Sequence, residues 1–123
     1  MPDGTFVPPG TDAALSAEDQ KLVTLARSSR ARVGALEGAA VRDQDGRTYA
    51  ASTVALPSLG VTALQLAVAS AVAAGAKVLE AAAVVTEAST LDGAGHAAVR
   101  DLAADAPVHV AAPDGSLVGT VTA

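Results

Sequence analysis

The 123-residue sequence contains no cysteine and no tryptophan, and only one tyrosine and one phenylalanine. The missing cysteines exclude disulfides, thiolate nucleophiles and every cysteine-ligated zinc site. Half of the residues are apolar while aromatics make up 2%, so the interior must be assembled from Ala, Val and Leu. Such small side chains favour close approach of helices and strands over a roomy, ring-lined pocket. Cations are scarce too: 8 Lys and Arg against 13 Asp and Glu leave a net charge of -5. A nucleic-acid partner, which requires clustered cations to neutralise phosphates, is therefore not expected. The densest basic run, Arg27, Arg30 and Arg32, falls at the end of the first expected helix, where the helix dipole favours cations.

A membrane partner is not expected either. Residues 48–76 carry no charge, but Pro57, Gly60 and Gly75 interrupt them. The unbroken part is shorter than the roughly 20 residues a bilayer demands. Residues 1–12 lack the basic and apolar regions of a secretory signal. The expected location is cytoplasmic.

What is present reads as one α/β domain, long enough to bury a core without disulfides or metal. Residues 1–14, with the only phenylalanine, Phe6, read as a flexible tail, and residues 15–123 as the domain. Ser16 is an expected N-cap with Asp19 at the capping-box position, and Leu22, Leu25 and Ala26 give helical spacing over about residues 17–30. Asp45-Gly46 separates short runs at residues 38–42 and 47–54, a hairpin signal, and residues 57–60 end it. Residues 61–74 read as a helix that is apolar all round, so that both of its sides need cover. A buried strand over 79–86 and a helix over 93–104, anchored by Val99 and Leu102, follow. Strands at 107–111 and 117–121 flank the turn Pro113-Asp114-Gly115-Ser116. The order α-β-β-α-β-α-β-β predicts a mixed five-stranded sheet layered with helices, a three-layer α/β/α domain.

Several strings, in this order, resemble the small cytidine deaminase family from Leu15 to Val121. Gly38-Ala39-Ala40-Val41 is similar to that family's first strand, and Asp45-Gly46-Arg47-Thr48-Tyr49 to the turn into its second. Thr62-Ala63-Leu64, running on to Ala71-Val72-Ala73-Ala74-Gly75, resembles the helix that normally opens Cys-Ala-Glu. Leu91-Asp92-Gly93-Ala94-Gly95 stands where the family carries Pro-Cys-Gly-Ala-Cys. Pro107-Val108-His109-Val110 and Asp114-Gly115 resemble its closing hairpin.

The resemblance implies a zinc-dependent deaminase, with three metal ligands to make hydroxide and a glutamate to shuttle protons. Here the ligand positions hold Thr62, Asp92 and Gly95, and the shuttle position holds Leu64. The family's ribose-binding positions fall at Thr53 and Ala55, and its base-packing aromatic at about Ala35. An alignment shift does not restore the chemistry, because the chain has no cysteine and no glutamate between Glu37 and Glu80. Asp92 and His96, four apart at a helix start, could join a different metal site, but Asp92 is also a good N-cap and two ligands do not close a site. His109 is expected to pack on a sheet face.

The expectation is therefore a degenerate cytidine deaminase-like protein, without zinc or another cofactor and catalytically inactive. Its expected role is assembly or protein interaction, as a homodimer or homotetramer formed over Ala63, Ala67, Ala71 and Ala74 of the uncharged helix. Two alternatives stay open: a nucleoside-like small-molecule binding module, and a deaminase or hydrolase working without the usual zinc site.

Overall fold

The computed structural model describes Phe6–Val7 and residues 15–123. In chain order the elements are β1 (Phe6–Val7), α1 (Ala17–Val33), β2 (Gly38–Asp43), β3 (Thr48–Ser52), β4 (Val54–Leu56), β5 (Leu59–Val61), α2 (Ala63–Ala73), β6 (Leu79–Val85), α3 (Gly93–Leu102), β7 (Pro107–Ala111) and β8 (Leu117–Thr122). The main sheet runs β1-β8-β7-β6-β2-β3; β6 and β7 are parallel, joined through α3, and the other neighbours are antiparallel.

The expected five strands are thus present, in a mixed sheet. Two short features were not expected. Phe6–Val7 adds a sixth strand on β8, within residues read from sequence as a flexible tail; the rest of that segment lies outside the described residues. Residues 57–60 do not simply end a hairpin, because Val54–Leu56 and Leu59–Val61 pair across them as a small second sheet.

Local chemistry sets the helix ends. Ser16 is extended and its side chain accepts the Asp19 N–H, while Gly34, at φ 64°, closes α1 three residues beyond the expected end. At α2, Thr62 accepts the Gln65 N–H and the Gln65 side chain accepts the Thr62 N–H, a complete capping box.

The alternation of sheet side chains divides the core in two. Ala40, Ala81, Ala83 and Val85 meet Leu22, Val23 and Ala26 of α1 on one face. Ala39, Val41, Ala82 and Val84 meet Leu64, Ala67 and Val68 of α2 and Val99 of α3 on the other. This is the three-layer α/β/α arrangement expected from the element order. No helix of the described residues is long and apolar enough to cross a membrane.

The packing of α2 corrects the expected assembly surface. Ala63, Ala67 and Ala71 have no exposed surface, because the row of small side chains is the one that lies on the sheet. Of the four residues assigned to an interface only Ala74 is exposed, and the outward side carries Ala69, Val72 and Ala73 instead. Size decides this orientation: methyl groups allow the helix axis to approach the small residues of β2 closely, and larger ones would hold it off.

Two polar groups are built into the sheet. Asp43 has no exposed surface and accepts hydrogen bonds from the Asp45 and Arg47 N–H groups and the Tyr49 hydroxyl. Burial alone would raise its pKa, but these bonds outweigh it and hold the carboxyl below the usual range. The second group ties α1 to the sheet. His109 on β7 places Nε2 2.8 Å from Asp19 Oδ2 and Nδ1 2.9 Å from the Thr120 hydroxyl. Arg42 reaches Asp19 Oδ1 at 2.9 Å and Glu80 at 2.9 Å. Burial works to raise the pKa of Asp19, and the hydrogen bonds and charges of His109 and Arg42 overcome it, so the net direction is down.

That direction makes a testable statement about acid. A carboxyl that titrates lower in the folded chain than in the unfolded one stabilises fully above the ordinary aspartate value of 3.8 and loses its contribution as pH falls through the depressed value. The melting-temperature difference between the wild type and Asp19→Asn should therefore be largest at neutral pH and shrink in strong acid. A difference that stays constant across that range would remove the ion pair as its cause.

Candidate functional site

The starts of α2 and α3 come together at one edge of the α2–α3 layer, and they bring the expected site residues with them. Thr62 and Asp92 are the two N-caps. Asp92 accepts the Ala94 and Gly95 N–H groups, both at 3.1 Å. Leu64 points inward and is 0% exposed. Gly95 is buried directly against it: a Cβ at Gly95 would stand 2.7 Å from Leu64 Cβ and would collide with the Asp92 carboxylate.

The donor set does not fit a zinc ion with three protein ligands. One position offers a hydroxyl already engaged in a capping box, one a carboxylate holding two backbone N–H groups, and one no side chain at all. The shuttle position offers an alkyl group, which neither takes nor gives a proton. Among the described residues no three His, Asp or Glu side chains are grouped to hold a metal ion. Nor does His96 join Asp92. Its Nε2 lies 3.1 Å from the Thr122 carbonyl and 3.2 Å from Arg100, on the side of β8.

Beside the two caps lies a cleft of about 330 Å³. Leu36, Glu37 and Thr53 contribute to its wall, together with Val61, Thr62, Gln65 and Asp92. Three of the residues singled out from sequence therefore share the cleft: Thr53, Thr62 and Asp92. Two do not. Ala55 is exposed on β4 and lines a neighbouring groove with Val33, Leu56 and Leu66, and Ala35 lines neither.

Glu37 is the cleft residue that the sequence did not reveal. Its backbone N–H donates to the Thr53 hydroxyl at 3.0 Å and its carbonyl accepts the Thr53 N–H at 3.1 Å. Its carboxylate accepts the Thr86 hydroxyl at 2.6 Å. A lone glutamate between two elements carries no motif, and the signal lies only in the pairing of residue 37 with residues 53 and 86 in space.

The fold is similar to that of the cytidine deaminase from Burkholderia pseudomallei, with a TM-score of 0.74 at 24% identity, over 87% of this chain and 93% of that one. It is also similar to the cytidine deaminase from Mycobacterium leprae, with a TM-score of 0.64 at 17% identity, over 85% of this chain and 94% of that one. No curated protein matches the sequence. The family model described as cytidine deaminase-like matches residues 15–115, from the N-cap region of α1 to the last turn and across both caps of the site, and the chain belongs to that family.

Proposed function

We propose that this chain is a cytidine deaminase-like protein that does not deaminate, and that it acts through assembly with further copies of itself. The observation that carries the reading is Leu64, 0% exposed and packed on Gly95 where the resemblance calls for a proton-shuttling glutamate beside a zinc ligand. Alkyl packing there leaves neither an activated water nor a base to protonate a departing amine.

Assembly is supported by the distribution of exposed apolar side chains. Val33, Leu36, Leu56 and Leu59 are each more than half exposed. Leu36 lines the cleft, Val33 and Leu56 line the neighbouring groove, and Thr53 borders both. Soluble monomers rarely leave apolar surface gathered in this way, and a symmetric contact would cover it. The second reading, a small-molecule binding module, is favoured by the cleft itself, which keeps carboxylate, hydroxyl and amide groups around a space of ligand size.

Both halves of the proposal are tested on one purified sample. Incubation with cytidine or deoxycytidine should yield uridine or deoxyuridine no faster than buffer alone, and light scattering should return the mass of at least two chains. Product formation proportional to protein concentration would overturn the first half, and a single-chain mass at micromolar concentration the second.

A further inference from the structure

We infer that the cleft beside Thr62 and Asp92 is a binding site for a small organic cation, an ammonium or guanidinium compound, with Glu37 as its anchoring carboxylate. The inference rests on the ligand-binding reading of the cleft and adds the chemical class of the ligand.

Charge comes first. The cleft wall contains two carboxylates, Glu37 and Asp92, and no Lys, Arg or His. No cationic side chain stands within ion-pair distance of Glu37 among the described residues, although Asp19 and Glu80 are each paired. Glu37 is half-buried, and a carboxylate withdrawn from water without a counter-charge is costly. The fold nonetheless fixes it, through Thr53 at the backbone and Thr86 at the carboxylate. A carboxylate on the cleft wall that holds a hydroxyl but no cation among the described residues is arranged for a charge that arrives with a ligand.

Hydrogen-bond capacity points the same way. Gln65 Oε1 and the Thr62 hydroxyl oxygen are already accepting within the capping box. The two carboxylates can only accept, while the Gln65 amide N–H groups and the Thr62 hydroxyl hydrogen remain as donors on the wall. A ligand that engages the carboxylates must therefore bring donors to them. Leu36 and Val61 supply apolar wall for its carbon skeleton. The volume of about 330 Å³ suits a compact molecule, and phosphates or carboxylates would be repelled by both acids.

The test is calorimetric titration of the wild-type protein at fixed ionic strength with putrescine and agmatine, against cytidine and inorganic phosphate as comparators. One diamine or agmatine site per chain is expected, weakened about tenfold or more in Glu37→Gln, whose amide oxygen still accepts from Thr86. Asp92→Asn, which retains an N-cap, should weaken it as well, while Asp105→Asn, on the exposed surface, should leave it unchanged. Phosphate should not bind. Binding of cytidine without binding of either amine would sink the cation inference and leave the ligand-binding reading standing. Binding of none of these would sink both. Amine binding that is equal in the wild type, Glu37→Gln and Asp92→Asn would also overturn the inference, since it would then be diffuse attraction to an acidic protein. If Glu37→Gln fails to fold, as a thermal melt would show, the Asp92→Asn arm decides.

Discussion

Gly38→Ala should destabilise the protein by about 3 kcal/mol, the upper range of overpacking in a rigid core. Gly38 opens β2 directly beneath α1. A Cβ there would collide with the Ala26 carbonyl oxygen and stand 2.9 Å from both Arg30 N and Arg30 Cβ. Two of these three atoms are helix backbone, so no rotamer change relieves the clash and α1 itself must lift. Lifting it has a second consequence. Ser52, the partner of Gly38 across the β2–β3 ladder, donates its hydroxyl to the Ser29 carbonyl at 2.8 Å and lies 2.8 Å from the Ser29 hydroxyl. Those bonds exist because the helix can approach a strand with no side chain in the way. At roughly 4 °C per kcal/mol for a domain of this size, thermal melting should move down by about 12 °C. Gly60→Ala is the matched control, since a Cβ there meets nothing within 4 Å. Equal melting temperatures for the two variants would refute the close-approach account.

Why was so much of this architecture legible in the sequence? The long elements announce themselves through period and punctuation. The β2–β3 hairpin lies on the Asp45-Gly46 signal, with Gly46 at φ 82°, a conformation that favours glycine. The expected strand at residues 107–111 has the observed bounds of β7, and α1 begins where Ser16 caps it. The short elements were hidden for the same reason. Strands of two or three residues, such as β1, β4 and β5, are too brief for alternation to show. The start of α2 was readable after all: Thr62 and Gln65 form a capping box, and giving it weight moves the helix start from Val61 to Ala63.

The site was legible in what it lacks and illegible in what it holds. Losses of ligand and base follow from residue identities alone, and Thr62, Leu64, Asp92 and Gly95 do meet in space. The direction of the Ala row did not follow, because a helix apolar all round gives no polar face to orient it. Only the packing against small residues of the sheet turns Ala63, Ala67 and Ala71 inward. Glu37 and Asp43 were missed for a different reason. Each is defined by partners distant along the chain or around a turn, so its burial and bonding exist only once the chain has folded.

Leu64→Glu, which writes the family's missing acid back into the sequence, should unfold the protein instead of reviving it. The position has no exposed surface, so the change first removes a buried leucine, worth about 1.5–3 kcal/mol. It then places a carboxylate in an apolar layer formed by Ala39, Val41, Val84 and Val99, at a cost of several kcal/mol without a counter-charge. None is near. Across Gly95 stands the Asp92 carboxylate, which is of like charge and already committed to two backbone N–H groups. The sum is comparable with the roughly 5–15 kcal/mol that separates folded from unfolded domains. We expect Leu64→Glu to be largely unfolded by circular dichroism at room temperature, whereas Leu64→Met, equal in volume and apolar, should cost less than about 1.5 kcal/mol. A folded, soluble Leu64→Glu protein would mean that the layer opens to water or offers a cation, and the reading of this position as alkyl packing would fail. The contrast between the two variants separates a site that has merely lost its ligands from one whose interior has been refilled, because only the refilled site rejects the returning carboxylate.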